Sequence, residues 1–275
     1  MRFVFENART PLHSNRRWWC RTSGLLVAVV ALISVVGCDS AQKTSSVPLE
    51  SFKAPIAGTS VELDMVAIEG VSSGGFYISS TEATWDLYDA FIFNLDTDAG
   101  ESTPESDAVT RPSKPYVLVD RGYGHAGYAA LSISPQAAEK FVEWLSVKTG
   151  RTYRLPTITE MRHLLSTSGA DSDDARLAMG WLEENSDFST HPVGSRPADL
   201  NGLHDIWGNV SEYATMPDGS YVVVGGSFID PVESVSVDGV TPFTPDWNAD
   251  DPQIPKSPWW LASNDWVGIR VVCDP

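Results

Sequence analysis

Residues 202–213 read GLHDIWGNVSEY, and residues 225–228 read GGSF. The first stretch holds two carboxylates, Asp205 and Glu212, on either side of a Gly-Asn pair. The double glycine of the second stretch lets a strand lie very close to a neighbouring backbone, because glycine has no side chain in the way. We interpret these glycines as residues that maintain the fold rather than residues that carry chemistry.

Helix signals are clearest in the middle of the chain. A Ser-Pro pair opens the stretch 134–150 and a glycine closes it, with apolar residues at helical spacing between them. Thr157 is followed three residues later by Glu160, the spacing of a capping box, which predicts a second helix. A third helix is expected from Thr84 to Phe93 because its large apolar residues lie on one helical face.

The C-terminal third turns to short extended segments, such as residues 221–224 and 267–272, separated by Gly, Pro and Asp. Helices first and short strands later predict an α+β domain with much irregular structure. The composition agrees, since 42% hydrophobic and 20% charged residues are typical of a globular protein.

Several stretches resemble, in the same order along the chain, the formylglycine-generating-enzyme or sulfatase-modifying-factor family. They are MVAI (65–68), FYISSTEAT (76–84), GRTYRLPTITE (150–160), GLHDIWGNVSEY (202–213), GGSF (225–228) and VGIRVV (267–272). The resemblance implies a loop-rich α+β fold related to the C-type lectin fold, with short strands and a few helices. Arg154 in the third stretch is expected to tie loops together through its fork of donors.

The resemblance also implies an activity. Founding members of the family convert a cysteine of sulfatases to formylglycine, using oxygen and copper held by two cysteines just after the G-G-S-W segment. The corresponding residues 229–238 read IDPVESVSVD and contain no cysteine. Thiolates are the soft ligands that select Cu(I), so copper is not expected here. Cys273 is a single thiol near the C-terminus and does not replace the pair.

A structural calcium is the site that the resemblance carries over. By position, Asp205 and Glu212 would supply carboxylates, and Gly208 and Val210 would supply backbone carbonyls. Calcium accepts several oxygen ligands of this mixed kind from a flexible loop. The alternative is that the two carboxylates only accept hydrogen bonds from the backbone of a tight turn.

The first residues predict export. Five arginines precede an apolar run from Leu25 to Val36, which is too short to span a bilayer comfortably and is typical of a signal peptide. The run ends in VVGC (35–38), which resembles a bacterial lipobox, so Cys38 is expected to carry lipid; an uncleaved anchor is the alternative. We therefore expect a lipoprotein signal peptide (1–37), a lipidated tether (38–58) and a sulfatase-modifying-factor domain (59–275).

The net charge and the cysteine content limit which partners and which disulfide bonds we expect. The net charge is −17, and duplex nucleic acid is a poor partner because its binding depends on cationic side chains. After removal of the signal and lipidation of Cys38, Cys273 is the only thiol left, so no intramolecular disulfide is expected. The protein is expected to be lipid-anchored to a membrane on its periplasmic or extracellular side.

Three functions remain open from the sequence. The favoured one is a non-catalytic, calcium-stabilised domain that binds or scaffolds an unknown protein or glycan. One alternative is a sulfatase-modifying oxidase with a rearranged metal site. The other is a lectin-like carbohydrate binder, suggested by tryptophans such as Trp259 and Trp260, although we favour a place in the core for both.

Overall fold

The computed structural model describes residues 48–70, 74–95, 112 and 118–275; the predicted signal peptide and Cys38 lie outside this part of the chain. Residues 47–275 form one compact unit. Its strands are β1 (Phe52–Pro55), β2 (Glu62–Ile68), β3 (Phe76–Ser79), β4 (Tyr153–Arg154), β5 (Ser211–Thr215), β6 (Tyr221–Val224), β7 (Thr241–Pro242), β8 (Val267–Gly268) and β9 (Val272–Cys273). Its helices are α1 (Trp85–Ile92), α2 (Pro135–Thr149), α3 (Ile158–Thr167), α4 (Asp173–Met179) and α5 (Glu183–Ser186), with 3-10 turns at Val232–Ser234 and Pro245–Asn248.

The three predicted helices are confirmed, and the capping residues explain where they begin. The Thr84 side chain accepts from Leu87 N at the start of α1. Ser134 caps α2, which ends at Gly150 in the left-handed conformation with φ +70°. A complete capping box of Thr157 and Glu160 opens α3.

The first sheet has the order β1-β2-β3-β9-β4, with all its pairings antiparallel. Three of its strands precede α1, so the expected order of helices first was wrong. The pairing of β1 with β2 also places part of the predicted tether (38–58) inside the sheet, and the domain therefore begins no later than Phe52. The sequence feature that indicates this sheet is the alternation of apolar and polar residues in β2, where Leu63 and Met65 are buried while Asp64 is exposed.

The second sheet has the order β7-β6-β5-β8, and its pairing of β5 with β8 is parallel. The stretch 267–272, expected as one strand, is divided between the two sheets: β8 joins the second and β9 joins the first. Arg270 lies between β8 and β9 in the chain and is fully buried. Its guanidinium bonds a carboxylate oxygen of Glu212 in the second sheet and the carbonyl oxygen of Ser79 in the first.

The double glycine permits the close approach that the sequence predicted. A Cβ atom on Gly225 would lie 2.7 Å from the Ile206 carbonyl oxygen, and one on Gly226 would lie 2.6 Å from Val235 Cγ2. Both glycines also have positive φ, +87° and +76°.

Arg154 ties three segments together, as expected. Its guanidinium bonds both oxygens of Glu160 at 2.7 and 2.8 Å and also reaches Asp274 Oδ1 at 3.0 Å.

In the part of the chain that is described, no helix has the length and apolar character needed to cross a membrane.

Candidate functional site

A fully buried arginine joins the elements around the predicted calcium turn. Arg270 donates to Glu212 Oε1 from Nε at 2.8 Å, and its Nη2 lies 2.7 Å from the same oxygen. Nη1 donates to the Ser79 carbonyl at 2.9 Å, and Nη2 donates to the His204 carbonyl at 2.7 Å. One side chain therefore fixes the end of β3, the turn before the Gly-Asn pair and strand β5.

Three buried carboxylates lie near Arg270. Glu82, Asp205 and Glu212 are each no more than 2% exposed. Burial, and next the charge of Asp205, hold the pKa of Glu82 well above its usual value. Burial also raises the pKa of Asp205 and of Glu212. The cluster therefore carries more acidic groups than Arg270 can neutralise, and protons or a cation would relieve the excess.

Each of the three carboxylates keeps one oxygen without a hydrogen-bond partner. These atoms are Glu82 Oε2, Asp205 Oδ1 and Glu212 Oε2. The second oxygen of Asp205 accepts from Gly194 N at 2.7 Å. A buried polar atom without a partner is costly, so a ligand that supplies positive charge would stabilise this arrangement.

The predicted calcium residues fit a cation in part through these free oxygens. The structure brings Asp205 and Glu212 into one cluster, and Gly208 lies in the turn between them with φ +82°. Within the described residues, no three histidine, cysteine or acidic side chains are arranged to hold a metal. A cation here would therefore need the backbone carbonyls assigned by resemblance to Gly208 and Val210, and such a mixed oxygen set suits calcium.

Asn209 anchors the turn that carries these residues. Its Nδ2 donates to Glu82 Oε1 at 2.9 Å, and its Oδ1 accepts from His191 N at 3.0 Å. The backbone has the left-handed φ of +55°, which asparagine tolerates better than most residues. Sequence reasoning singled out neither Glu82 nor Arg270, although each is the one charged residue of a quoted stretch, FYISSTEAT and VGIRVV.

The stretch that corresponds to the family's cysteines lines a separate cavity of about 180 Å³. Asp230, Ser234, Val235 and Ser236 all contribute to its wall. Asp230 Oδ2 accepts from the backbone N and the hydroxyl of Ser227, at 2.8 and 2.6 Å. The cavity thus presents hydroxyls, a bonded carboxylate and apolar surface where the family would present thiolates.

Cys273 does not replace the cysteine pair of the family. It is buried in β9 of the first sheet, where it pairs in register with Tyr77 and Tyr153. Burial raises the pKa of its thiol. A thiol held in its neutral form is a poor ligand and a poor nucleophile.

Structural positions are occupied by His125, His191, Trp259 and Trp260. His125 lies between Asp89 Oδ2 at 2.8 Å and Asp120 Oδ2 at 3.0 Å, and His191 stacks on Trp181 with ring centroids 3.6 Å apart. Trp259 and Trp260 are each 5% exposed, which confirms their expected place in the core and leaves neither ring free to stack on a sugar.

Comparison with known proteins agrees with this architecture. A family model described as a sulfatase-modifying factor enzyme 1-like domain matches residues 40–274. The solved structure of Treponema denticola variable protein 1 is similar, with 18% identity, a TM-score of 0.60, and coverage of 82% of this chain and 99% of that one. PvdO from Pseudomonas aeruginosa matches with 18% identity, a TM-score of 0.50 and coverage of 83% and 92%. These likenesses confirm the expected fold; a search of curated proteins gave no match.

Proposed function

The chain belongs to the sulfatase-modifying factor enzyme 1-like family, and from that premise we propose that it is a lipid-tethered, extracytoplasmic binding or scaffolding domain. In this proposal the family fold is stabilised by calcium, and the family's oxidation of a sulfatase cysteine is lost. The partner is a protein or a glycan outside the cytoplasm.

The cavity lined by residues 229–238 carries the proposal. Part of its wall comes from the stretch that corresponds, by resemblance, to the family's cysteine pair, and the polar side chains there are hydroxyls and the carboxylate of Asp230. Hard oxygen ligands do not select Cu(I) as a pair of thiolates does. Asp230 is moreover held by two hydrogen bonds from Ser227. The geometry supports recognition of a partner group better than copper chemistry, and the domain is expected to form no aldehyde from a sulfatase-type cysteine peptide.

Calcium is expected to raise the stability of the domain. A ligand that binds only the folded state adds about 2.7 kcal/mol when its free concentration is 100 times Kd. For a domain of this size, that corresponds to a melting temperature roughly 5–10 °C higher with calcium than with a chelator. Differential scanning fluorimetry of residues 39–275, with calcium and with EGTA, measures the shift.

Two variants assign the calcium effect to the predicted ligands. Glu212→Gln replaces the carboxylate that carries the free Oε2 atom with an uncharged amide. The calcium-dependent shift in melting temperature should then disappear. Asp171→Asn is the control, because Asp171 is exposed and outside the cluster, and it should keep the whole shift. A melting temperature of the unaltered domain that chelation leaves unchanged would refute the calcium assignment.

The lipid tether is tested on the full chain. Cys38→Ser removes the expected lipid acceptor, so the protein should move from the membrane fraction to the soluble fraction after cell lysis. Cys20→Ser alters a cysteine within the predicted signal and should leave the protein with the membrane. Retention of the Cys38→Ser protein in the membrane would favour an uncleaved helical anchor instead.

A further inference from the structure

A second cavity, of about 400 Å³, lies between the start of α2, strand β6 and the segment that follows β7. It shares no lining residue with the cavity of residues 229–238. We propose that this second cavity binds a small ligand with an apolar, ring-sized body and one anionic group, of the class of aromatic carboxylates. This inference goes beyond the proposed function, because it concerns a different place in the domain and requires neither calcium nor the tether.

The walls of the cavity suit an apolar body. Most of them are formed by apolar or aromatic side chains: Pro135, Tyr221, Phe243, Pro245, Pro258 and Leu261. The volume falls within the range of about 300–1,000 Å³ that is usual for small-molecule sites. Burial of an aromatic ring against these walls would supply most of the binding energy, since apolar burial is the dominant favourable term in association.

Two side chains in one wall of the cavity, Lys256 and Ser257, can donate to a ligand. Lys256 Nζ donates to the Ala249 carbonyl at 2.8 Å, and no carboxylate of the described residues lies within ion-pair distance of it. Ser257 is 8% exposed, and its Oγ accepts from the N–H groups of Trp259 and Trp260 at 3.2 and 3.3 Å. No described residue accepts the proton of this buried hydroxyl. An ammonium and a free hydroxyl proton at one wall match an anionic group.

The start of α2 adds to this preference. Gln136, in the first turn of the helix, lines the cavity, and its backbone N–H has no partner among the described residues. The first turn of α2 contains no acidic side chain that would neutralise the positive end of the helix. Glu139, one turn later, accepts from the Tyr221 hydroxyl at 3.2 Å, so we expect the anionic group at Lys256 and Ser257 rather than at Tyr221.

The wall that carries Lys256 and Ser257 is held in place before any ligand arrives. Asn248 Nδ2 donates to the Ser257 carbonyl at 2.9 Å, and Asn248 Oδ1 accepts from Ala262 N at 2.9 Å. Asp251 accepts from Ser257 N on the same loop. Binding to such a preformed wall avoids the cost of ordering a loop.

Calorimetric titration of residues 39–275 tests the proposal with a matched pair of probes, naphthylacetate and its uncharged amide. The unaltered domain should bind naphthylacetate at one site, at least about tenfold more tightly than the amide. Lys256→Gln should reduce that preference without weakening the amide. Phe243→Ala should weaken both probes about tenfold or more, because it removes a ring from the wall.

Phe188→Ala is the matched control, since Phe188 is 61% exposed and outside the cavity; both affinities should be unchanged. Absence of saturable binding to the folded, unaltered domain would overturn the proposal, and so would equal affinities in the unaltered domain and the Phe243→Ala variant. A preference for the anion that survives Lys256→Gln would overturn the assignment of the anionic group to Lys256.

Discussion

The Arg270→Leu variant should lose roughly 3–5 kcal/mol of the free energy of unfolding, because removal of one partner leaves buried charge uncompensated. Glu82, Asp205 and Glu212 would then lie together without the guanidinium that offsets their charge. The carbonyls of Ser79 and His204 would also lose their donor. At roughly 2–4 °C for each kcal/mol, the melting temperature should fall by about 6 °C or more.

Arg162→Leu is the matched control for Arg270. The side chain of Arg162 is 41% exposed, and its Nε lies 3.3 Å from Asp238 Oδ1, which is 87% exposed. Exposed pairs of this kind contribute about 0–1 kcal/mol, so the change should be small. Urea denaturation of both variants gives the comparison. Similar losses in the two would show that the buried cluster does not depend on Arg270.

Gly208→Ala should be strongly destabilising for so small a substitution. A Cβ atom at this position would lie 2.1 Å from the Trp181 carbonyl oxygen, and the backbone φ is +82°. Backbone cannot move away as a flexible side chain can, so the turn that carries Asp205 and Asn209 would have to shift. We expect a loss of roughly 4 kcal/mol or more, at the high end of single substitutions.

Gly219→Ala separates the two causes of that loss. Gly219 has nearly the same φ, +83°, but nothing lies within 4 Å of a Cβ atom built there. Its cost should be that of the left-handed backbone alone, roughly 1–2 kcal/mol. The difference between the two variants in urea denaturation measures the close approach to Trp181. Equal losses would mean that the close approach of Gly208 to Trp181 adds nothing to the cost of Gly208→Ala.

Local signals were sufficient to predict the helices. The Ser-Pro start and glycine end of α2, and the Thr157–Glu160 box of α3, act within a few residues and are visible in the sequence. The division of 267–272 between two sheets was not visible there. It depends on Arg270, whose partners Glu212 and Ser79 are 58 and 191 residues away along the chain.

The site could be predicted only where the resemblance supplied positions. Asp205 and Glu212 were expected together, and the structure places them in one cluster. Glu82 was missed because it joins the cluster only through the fold, in which Asn209 bonds it across 127 residues. The second cavity could not be predicted either, since its walls come from four separate segments whose side chains give no joint signal in the sequence.

A turnover assay tests whether the domain keeps the family fold but has lost the family's oxidation chemistry. Residues 39–275 would be incubated with copper, oxygen, a reductant and a sulfatase-type cysteine peptide, beside an active enzyme of the family, and the products analysed by mass spectrometry. We expect no aldehyde-containing peptide from the folded domain under conditions in which the control enzyme converts its substrate. Formation of the aldehyde would contradict it, because the metal would then be held without the thiolates that residues 229–238 lack.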